Sequence, residues 1–302
     1  MNRRVVTGMF MALAACSCGG PQRRADTGPE PGHTRLTAFG DVCEDPCPVQ
    51  GGILFARRAP GRTFQIWVLP DSGPAPHEEL ISDDDLRAPA ASAEGLLAFA
   101  ANKGGTWDIF TTTPGAPTIA GTDADETGPT WAPDGKRLAW AAFDRRAAEW
   151  RLRIGDGSGE ARELGAGFAP AWHPTEDRIA CQRTRHGDRL WSVVIIDVAS
   201  GRATEPWPEP GRGAITPSWS RDGQWIFFAA RIESPEQDEP QFDGLWAVSA
   251  DGAKRVRLTA ANVESFSPRE TSDGRIVYCR REGTAVELWS FKSPLARAEQ
   301  PK

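Results

Sequence analysis

The residues with the most chemical reach in this chain are its acidic runs, its cysteines and its four histidines. The acidic runs are Asp83-Asp84-Asp85 and Asp123-Ala124-Asp125-Glu126, with Asp41, Glu44 and Asp45 further upstream. Asp85 and Asp125 each stand four residues before a proline, Pro89 and Pro129, so the two occupy matching positions in successive segments. Carboxylates gathered by such a repetition suit Ca²⁺, a hard cation that takes oxygen ligands, or a basic partner segment. Asp41, Asp85 and Asp125 are the candidates, and no cofactor other than this Ca²⁺ is expected. A solvated acidic loop is the plainer alternative, because charge runs usually face water. No matching acid is read in the last three segments. In Cys43-Glu44-Asp45-Pro46-Cys47 two thiols share one short loop, a disulfide candidate in an oxidising compartment.

The remaining reactive residues do not assemble into a catalytic pattern. A Gly-x-Ser-x-Gly elbow, which exposes a nucleophilic serine on a strained turn, does not occur; Gly155-Asp156-Gly157-Ser158-Gly159 has the wrong spacing. His33, His77, His173 and His186 lack metal-ligand spacing to one another or to a cysteine. Cys181 reads as a buried free thiol. The expectation is therefore binding rather than catalysis, with a hydrolase or lyase as the least favoured class.

Bulk properties narrow the partners. The 302 residues carry a net charge of -6, which argues against nucleic acid, since its binders need a basic face to displace phosphate counterions. The chain has 12 Trp and 13 Phe but 1 Tyr, together with 31 Gly and 25 Pro, a balance that suits many short aromatic strands joined by tight turns. A monomer is expected.

The first fifteen residues read as an export signal: Arg3 and Arg4, then the apolar stretch Val5 to Ala12, too short to span a bilayer. Leu13-Ala14-Ala15-Cys16 resembles the bacterial lipobox. The resemblance implies cleavage before Cys16, lipidation of its sulfur and a periplasmic, membrane-anchored protein, with Ser17 pointing to the outer membrane. Two or more acyl chains suffice for stable anchoring. Residues 16–32 are a polar Gly- and Pro-bearing tether.

The elements that must position any site come from a repeat. Pro129-Thr130-Trp131-Ala132-Pro133-Asp134-Gly135, Pro170-Ala171-Trp172-His173-Pro174 and Pro217-Ser218-Trp219-Ser220-Arg221-Asp222-Gly223 are three copies of one turn, Ser265-Phe266-Ser267-Pro268 a fourth, and eroded copies lie around Pro48 to Gly52 and Pro89 to Gly95. A strand follows each, marked by two residues on one face: Ile53/Phe55, Leu97/Phe99, Leu138/Trp140, Ile179/Cys181, Ile226/Phe228 and Ile276/Tyr278. The anchors recur every 41 to 50 residues, about the length of one four-stranded blade. A further strand follows, as at Ile66-Trp67 and Leu245-Trp246, and then a short outer one, as at Glu79-Leu80-Ile81 and Arg257-Leu258-Thr259. The last unit stops at Leu288-Trp289-Ser290-Phe291, while Arg35-Leu36-Thr37 precedes the first.

These segments resemble the TolB-like family of WD40-like PD40 repeats over residues 33–292, without the N-terminal domain of TolB itself, and leave 293–302 as a tail. The resemblance implies an all-β fold, a six-bladed β-propeller of four-stranded antiparallel blades closed by the N-terminal strand, with the acidic candidates at the channel mouth. It implies an envelope protein or peptide as partner; the alternative is a small-ligand or glycan-binding module.

Overall fold

A computed structural model describes residues 30–114, 118–120, 123–158, 161–185, 190–232, 241–261 and 263–295. Cys16 and His186 lie outside the described residues. Residues 32–302 form one unit, distinct from residues 1–31. The described residues contain strands and no helix.

The chain enters with β1 (Thr34–Arg35) and then repeats one antiparallel motif. Its first copy is β2 (Val42–Val49), β3 (Gly52–Arg58), β4 (Gln65–Pro70) and β5 (His77–Leu80). The second is β6 (Asp85–Ala91), β7 (Leu97–Lys103), β8 (Thr106–Thr111) and β9 (Thr118–Ala120). The third is β10 (Glu126–Trp131), β11 (Leu138–Asp144), β12 (Glu149–Gly155) and β13 (Arg162–Ala166). The fourth is β14 (Phe168–Trp172), β15 (Arg178–Thr184), β16 (Trp191–Asp197) and β17 (Ala203–Thr204). The fifth is β18 (Arg212–Trp219), β19 (Trp225–Ile232), β20 (Gln241–Ser249) and β21 (Arg255–Arg257). The last unit supplies β22 (Ser265–Glu270), β23 (Arg275–Glu282) and β24 (Ala285–Lys292).

The second to fifth units are separate four-stranded sheets paired in chain order. The first and last units share an eight-stranded sheet, because Val42 of β2 bridges Val286 of β24 and β1 lies antiparallel to β24, with Thr34 opposite Ser290 and Arg35 opposite Trp289. First strands lie side by side in sequence, β2 by β6, β6 by β10 and so on to β22, which in turn lies by β2.

Each first strand has the same irregularity at its centre. The residue before a proline takes a left-handed backbone: Asp45, Ala88, Gly128, Ala169, Thr216 and Ser267, with φ between 48° and 62°. The register slips there in all six, as between Glu44 and Cys47 or between Arg87 and Ala90. Proline has no N–H for the ladder, and a bulge is where a strand accommodates it. Only Gly128 adopts this conformation without a Cβ penalty. The bulge also corrects the expected register of the first unit: its repeat proline is Pro46, not Pro48, and the repeat's first strand runs through that proline to the repeat Trp.

The core lies between sheets. Leu54, Ala56 and Ile66 of the first unit pack on Leu86 and Ala101 of the second, and Trp207, fully buried, packs on Phe228 at 4.5 Å between ring centroids. Trp219, the last residue of β18, donates through Nε1 to the Ala171 carbonyl of the preceding unit at 3.0 Å. His173 is a turn residue, accepting the N–H groups of Thr175 and Glu176 at Nδ1. Its ring fits only because position 223 is glycine, where a Cβ would come within 2.1 Å of Nε2.

Where first and last units meet, the Glu287 carboxylate, fully buried, accepts hydrogen bonds from Thr37 Oγ1, the Gly40 N–H and Arg35 Nη2. Leu36 donates to the Leu288 carbonyl at 2.7 Å.

Candidate functional site: an arginine-bearing end of the first strands

The three acidic candidates occupy the end at which the first strands begin, but the structure engages each in holding the fold. Asp85 is the first residue of β6, and Oδ1 accepts the Phe64 N–H at 2.6 Å. Asp125, buried just ahead of β10, accepts the Trp107 N–H through Oδ1 at 3.2 Å. Asp41, also buried, receives Arg57 through Nε and Nη2 at 3.0 and 2.6 Å. Each is a carboxylate of one unit tied to a backbone or guanidinium group beside it. Among the described residues no group of three or more His, Cys, Asp or Glu side chains is placed to hold a metal ion. The three acids thus stand at one end of the first strands as expected of a shared position, each with a partner within the fold. The last unit does carry a matching acid, Glu264, four residues before Pro268 and paired with Arg281 Nε at 2.7 Å.

The Cys43–Cys47 disulfide is corrected. Both thiols are free. They lie on strand β2 rather than in a loop, opposite Arg57 and Leu54. At ~3.3 Å of rise per residue, four residues of strand separate Cα atoms by roughly 10 Å or more, beyond the ~7 Å a disulfide tolerates. Burial pushes the Cys43 thiol up to about 12, with Glu287 adding to the effect, and raises Cys47 too. Cys181 is a buried free thiol.

The acids do support a feature that sequence reasoning missed. Asp85 fixes Phe64 and Asp125 fixes Trp107, and the Arg87 guanidinium lies over both rings, 3.9 Å from the Phe64 centroid and 5.4 Å from that of Trp107. Arg87 stands two residues before Pro89. At the same offset in the fourth unit Phe168 packs between Trp150 and Trp191, at 5.0 and 6.4 Å between centroids. Arg87 therefore fills the position that Phe168 fills in the fourth unit, and a flat guanidinium suits it because it stacks on aromatic faces. The offset from the repeat proline was a readable signal: Glu44, Arg87, Thr127, Phe168, Ile215 and Phe266 share it.

Arg58, at the end of β3, also reaches Phe64, with Cζ 4.7 Å from the ring centroid. It lines an open hollow of about 480 Å³ with Asp41, Gly61, Arg62 and Thr284, where the first and last units adjoin. Arg58, Arg62 and Arg87 have no ion pair and no side-chain hydrogen bond among the described residues, and Arg87 Nε is buried without a partner. Near them Glu44 is 5% exposed, and its Oε1 lacks a hydrogen bond. Burial lifts its pKa to about 7; Asp45 adds to the rise, and Arg87, Arg281 and Arg58 oppose it. Burial also raises Asp45, whose Oδ2 accepts the Ala88 N–H, and lowers Arg269 on the neighbouring β22. Arg58 and Arg62, which line the hollow without an ion-pair partner, are suited to binding an anion.

No protein-family model matches the chain, and no curated protein does. Solved structures match in fold. TolB from Acinetobacter baumannii superposes with a TM-score of 0.62 at 17% identity, covering 81% of this chain and 64% of that one. A putative TolB from Agrobacterium tumefaciens gives 0.54 at 18% identity, over 68% of this chain and 74% of that one. A gluconolactonase from Xanthomonas campestris gives 0.60 at 13% identity, over 87% and 89%. This chain thus spans a little under two thirds of the Acinetobacter protein's length. Neighbours with a similar body carry names as different as TolB and gluconolactonase, so the likeness carries fold and not activity. The described body of this chain has a TolB-like β-propeller fold.

Proposed function

We propose that this protein is a lipid-anchored envelope scaffold that binds a partner protein or peptide on one end of its propeller. The body is read as six blades, closed where β1 completes the last unit. The side-by-side succession of first strands from β2 round to β22 and back to β2 supports that closure. Export, lipidation at Cys16 and a periplasmic place at the outer membrane rest on the lipobox resemblance. The single observation that carries the binding reading is a set of arginines without an ion-pair partner, Arg58 and Arg62 lining one hollow and Arg87 stacked on the Phe64 ring that Arg58 shares. Binding is favoured over catalysis because the carboxylates nearest this end, Asp41, Asp85 and Asp125, already hold backbone or guanidinium groups.

In-cell crosslinking of the tagged protein, followed by mass spectrometry, tests this reading. One dominant envelope partner is expected, and its capture should fall when Cys16→Ala removes the anchor. Recovery of no partner above background overturns the scaffold and directs attention to small ligands. Radiolabelled palmitate should mark the protein and not the Cys16→Ala variant.

A further inference from the structure

Arg58 and Arg87 share one aromatic ring. Their Cζ atoms lie 4.7 and 3.9 Å from the Phe64 centroid, so the two stand within about 9 Å of each other, the sum of those distances. Arg62 sits on the adjoining exposed turn and lines the same hollow as Arg58. We infer that this hollow captures the carboxylate groups of an acidic peptide segment, with Arg58 and Arg62 receiving them and Arg87 reinforcing the positive field from behind Phe64. The inference rests on the scaffold reading and names the chemistry of its partner.

Elsewhere in this protein arginines pair with carboxylates. Arg212 and Arg257 share Asp243, Arg137 holds Asp134 and Asp177, Arg281 holds Glu264 and Arg57 holds Asp41. Arg58, Arg62 and Arg87 lack such a partner, although Arg58 and Arg62 line a concave surface and Arg87 lies over the Phe64 ring beside it. A guanidinium presents a planar fork of donors that matches a carboxylate, and such charge-assisted pairs are the strong ones. Asp41 lines the hollow too, but Arg57 already offsets its charge. At about 480 Å³ the hollow is larger than one carboxylate needs and open enough to admit a run of residues. This also reverses the expected sign of the partner: the acids that pointed to a basic segment are engaged within the fold, and the arginines remain.

Glu44 makes the capture sensitive to pH. The groups acting on it are Asp45 on its own strand, Arg58 on β3, Arg87 on β6 and Arg281 on β23. Taking up a proton removes a negative charge from among these arginines and leaves their field to the ligand. Its pKa of about 7 puts that change near neutrality, so affinity for an acidic segment rises as pH falls.

Fluorescence anisotropy of the full-length protein with labelled hexaglutamate, hexaglutamine and hexalysine tests this. Hexaglutamate should bind at least tenfold tighter than either control, and added salt should weaken it. The Arg58→Gln/Arg62→Gln double variant should lose at least tenfold in affinity; Arg62→Glu, on an exposed turn, serves if the double variant melts early. Glu44→Gln should show at pH 8 the affinity that the parent protein shows only at pH 6. Equal binding of hexaglutamate and hexaglutamine, or unchanged affinity in the arginine variants, overturns the inference. Displacement of hexaglutamate by millimolar acetate overturns it in favour of a small organic acid. A crosslinked partner that survives loss of Arg58 and Arg62 refutes this site and leaves the scaffold reading standing. Arginine-dependent peptide binding without any partner in cells supports the site and refutes the scaffold.

Discussion

Replacing Glu44 with Gln should stabilise the protein at alkaline pH and leave it almost unchanged in mild acid. Glu44 is 5% exposed with an unpartnered carboxylate oxygen, and burial is the main reason its pKa stands at about 7 rather than at the ordinary 4.5. Between those two values the folded protein holds a proton that the unfolded chain has released, so its contribution to stability is present in acid and is lost as pH rises through about 7. A displacement of about 2.5 units corresponds to roughly 3 kcal/mol at about 1.4 kcal/mol per unit. Gln keeps the shape and cannot ionise, so the variant escapes this loss. Urea unfolding followed by Trp fluorescence at pH 4.5 and pH 8 reads it out: the variant's advantage should grow by roughly 3 kcal/mol across that interval. Identical pH dependence of the two proteins would refute the reasoning. A variant less stable than its parent at pH 8 would show that Arg87, Arg281 and Arg58 hold the ionised carboxylate more strongly than burial penalises it.

The other expectations concern structure. Asp85→Ala leaves the Phe64 N–H without its acceptor and should cost about 1–3 kcal/mol, while millimolar calcium should leave the melting temperature of the parent protein unchanged. Glu287→Ala removes the buried carboxylate that receives Arg35, Thr37 and Gly40, and should cost roughly 3–5 kcal/mol in denaturant unfolding. Cys43, Cys181 and Cys279, all buried and all with raised pKa values, should resist alkylation at pH 8 until the protein is unfolded, and a non-reducing peptide map should show no Cys43–Cys47 link. Trp207→Ala should cost about 3–5 kcal/mol by opening a cavity between sheets, measured by thermal or urea melting.

The second and third strands of every unit were legible because their pattern is dense in aliphatic and aromatic residues. Ile53/Phe55 falls in β3 and Ile276/Tyr278 in β23, and Ile66-Trp67 and Leu245-Trp246 fall in β4 and β20. The first strands were hidden because each carries a proline at its centre, which reads as a strand breaker unless a bulge accommodates it. That concealment misplaced the acids: Asp85 looked like part of a loop and is the start of β6. The same cause turned Cys43 and Cys47 into an apparent loop pair when they are strand residues. Arg87 was invisible for a different reason. A guanidinium standing where another unit has a phenylalanine shows only when the units are aligned on their prolines, with Phe168 as the reference.

The six prolines also decide how a partner can be recognised. β6, β10, β14, β18 and β22 are each the free margin of their sheet, and a bare strand margin is an invitation to β-augmentation by an incoming chain. Here the margin is interrupted midway by a left-handed residue and a proline without an N–H, so no continuous row of donors and acceptors is offered. A segment that docks on this side cannot extend a sheet. It has to be read by side chains, and specificity then rests on a few charges and rings rather than on backbone complementarity.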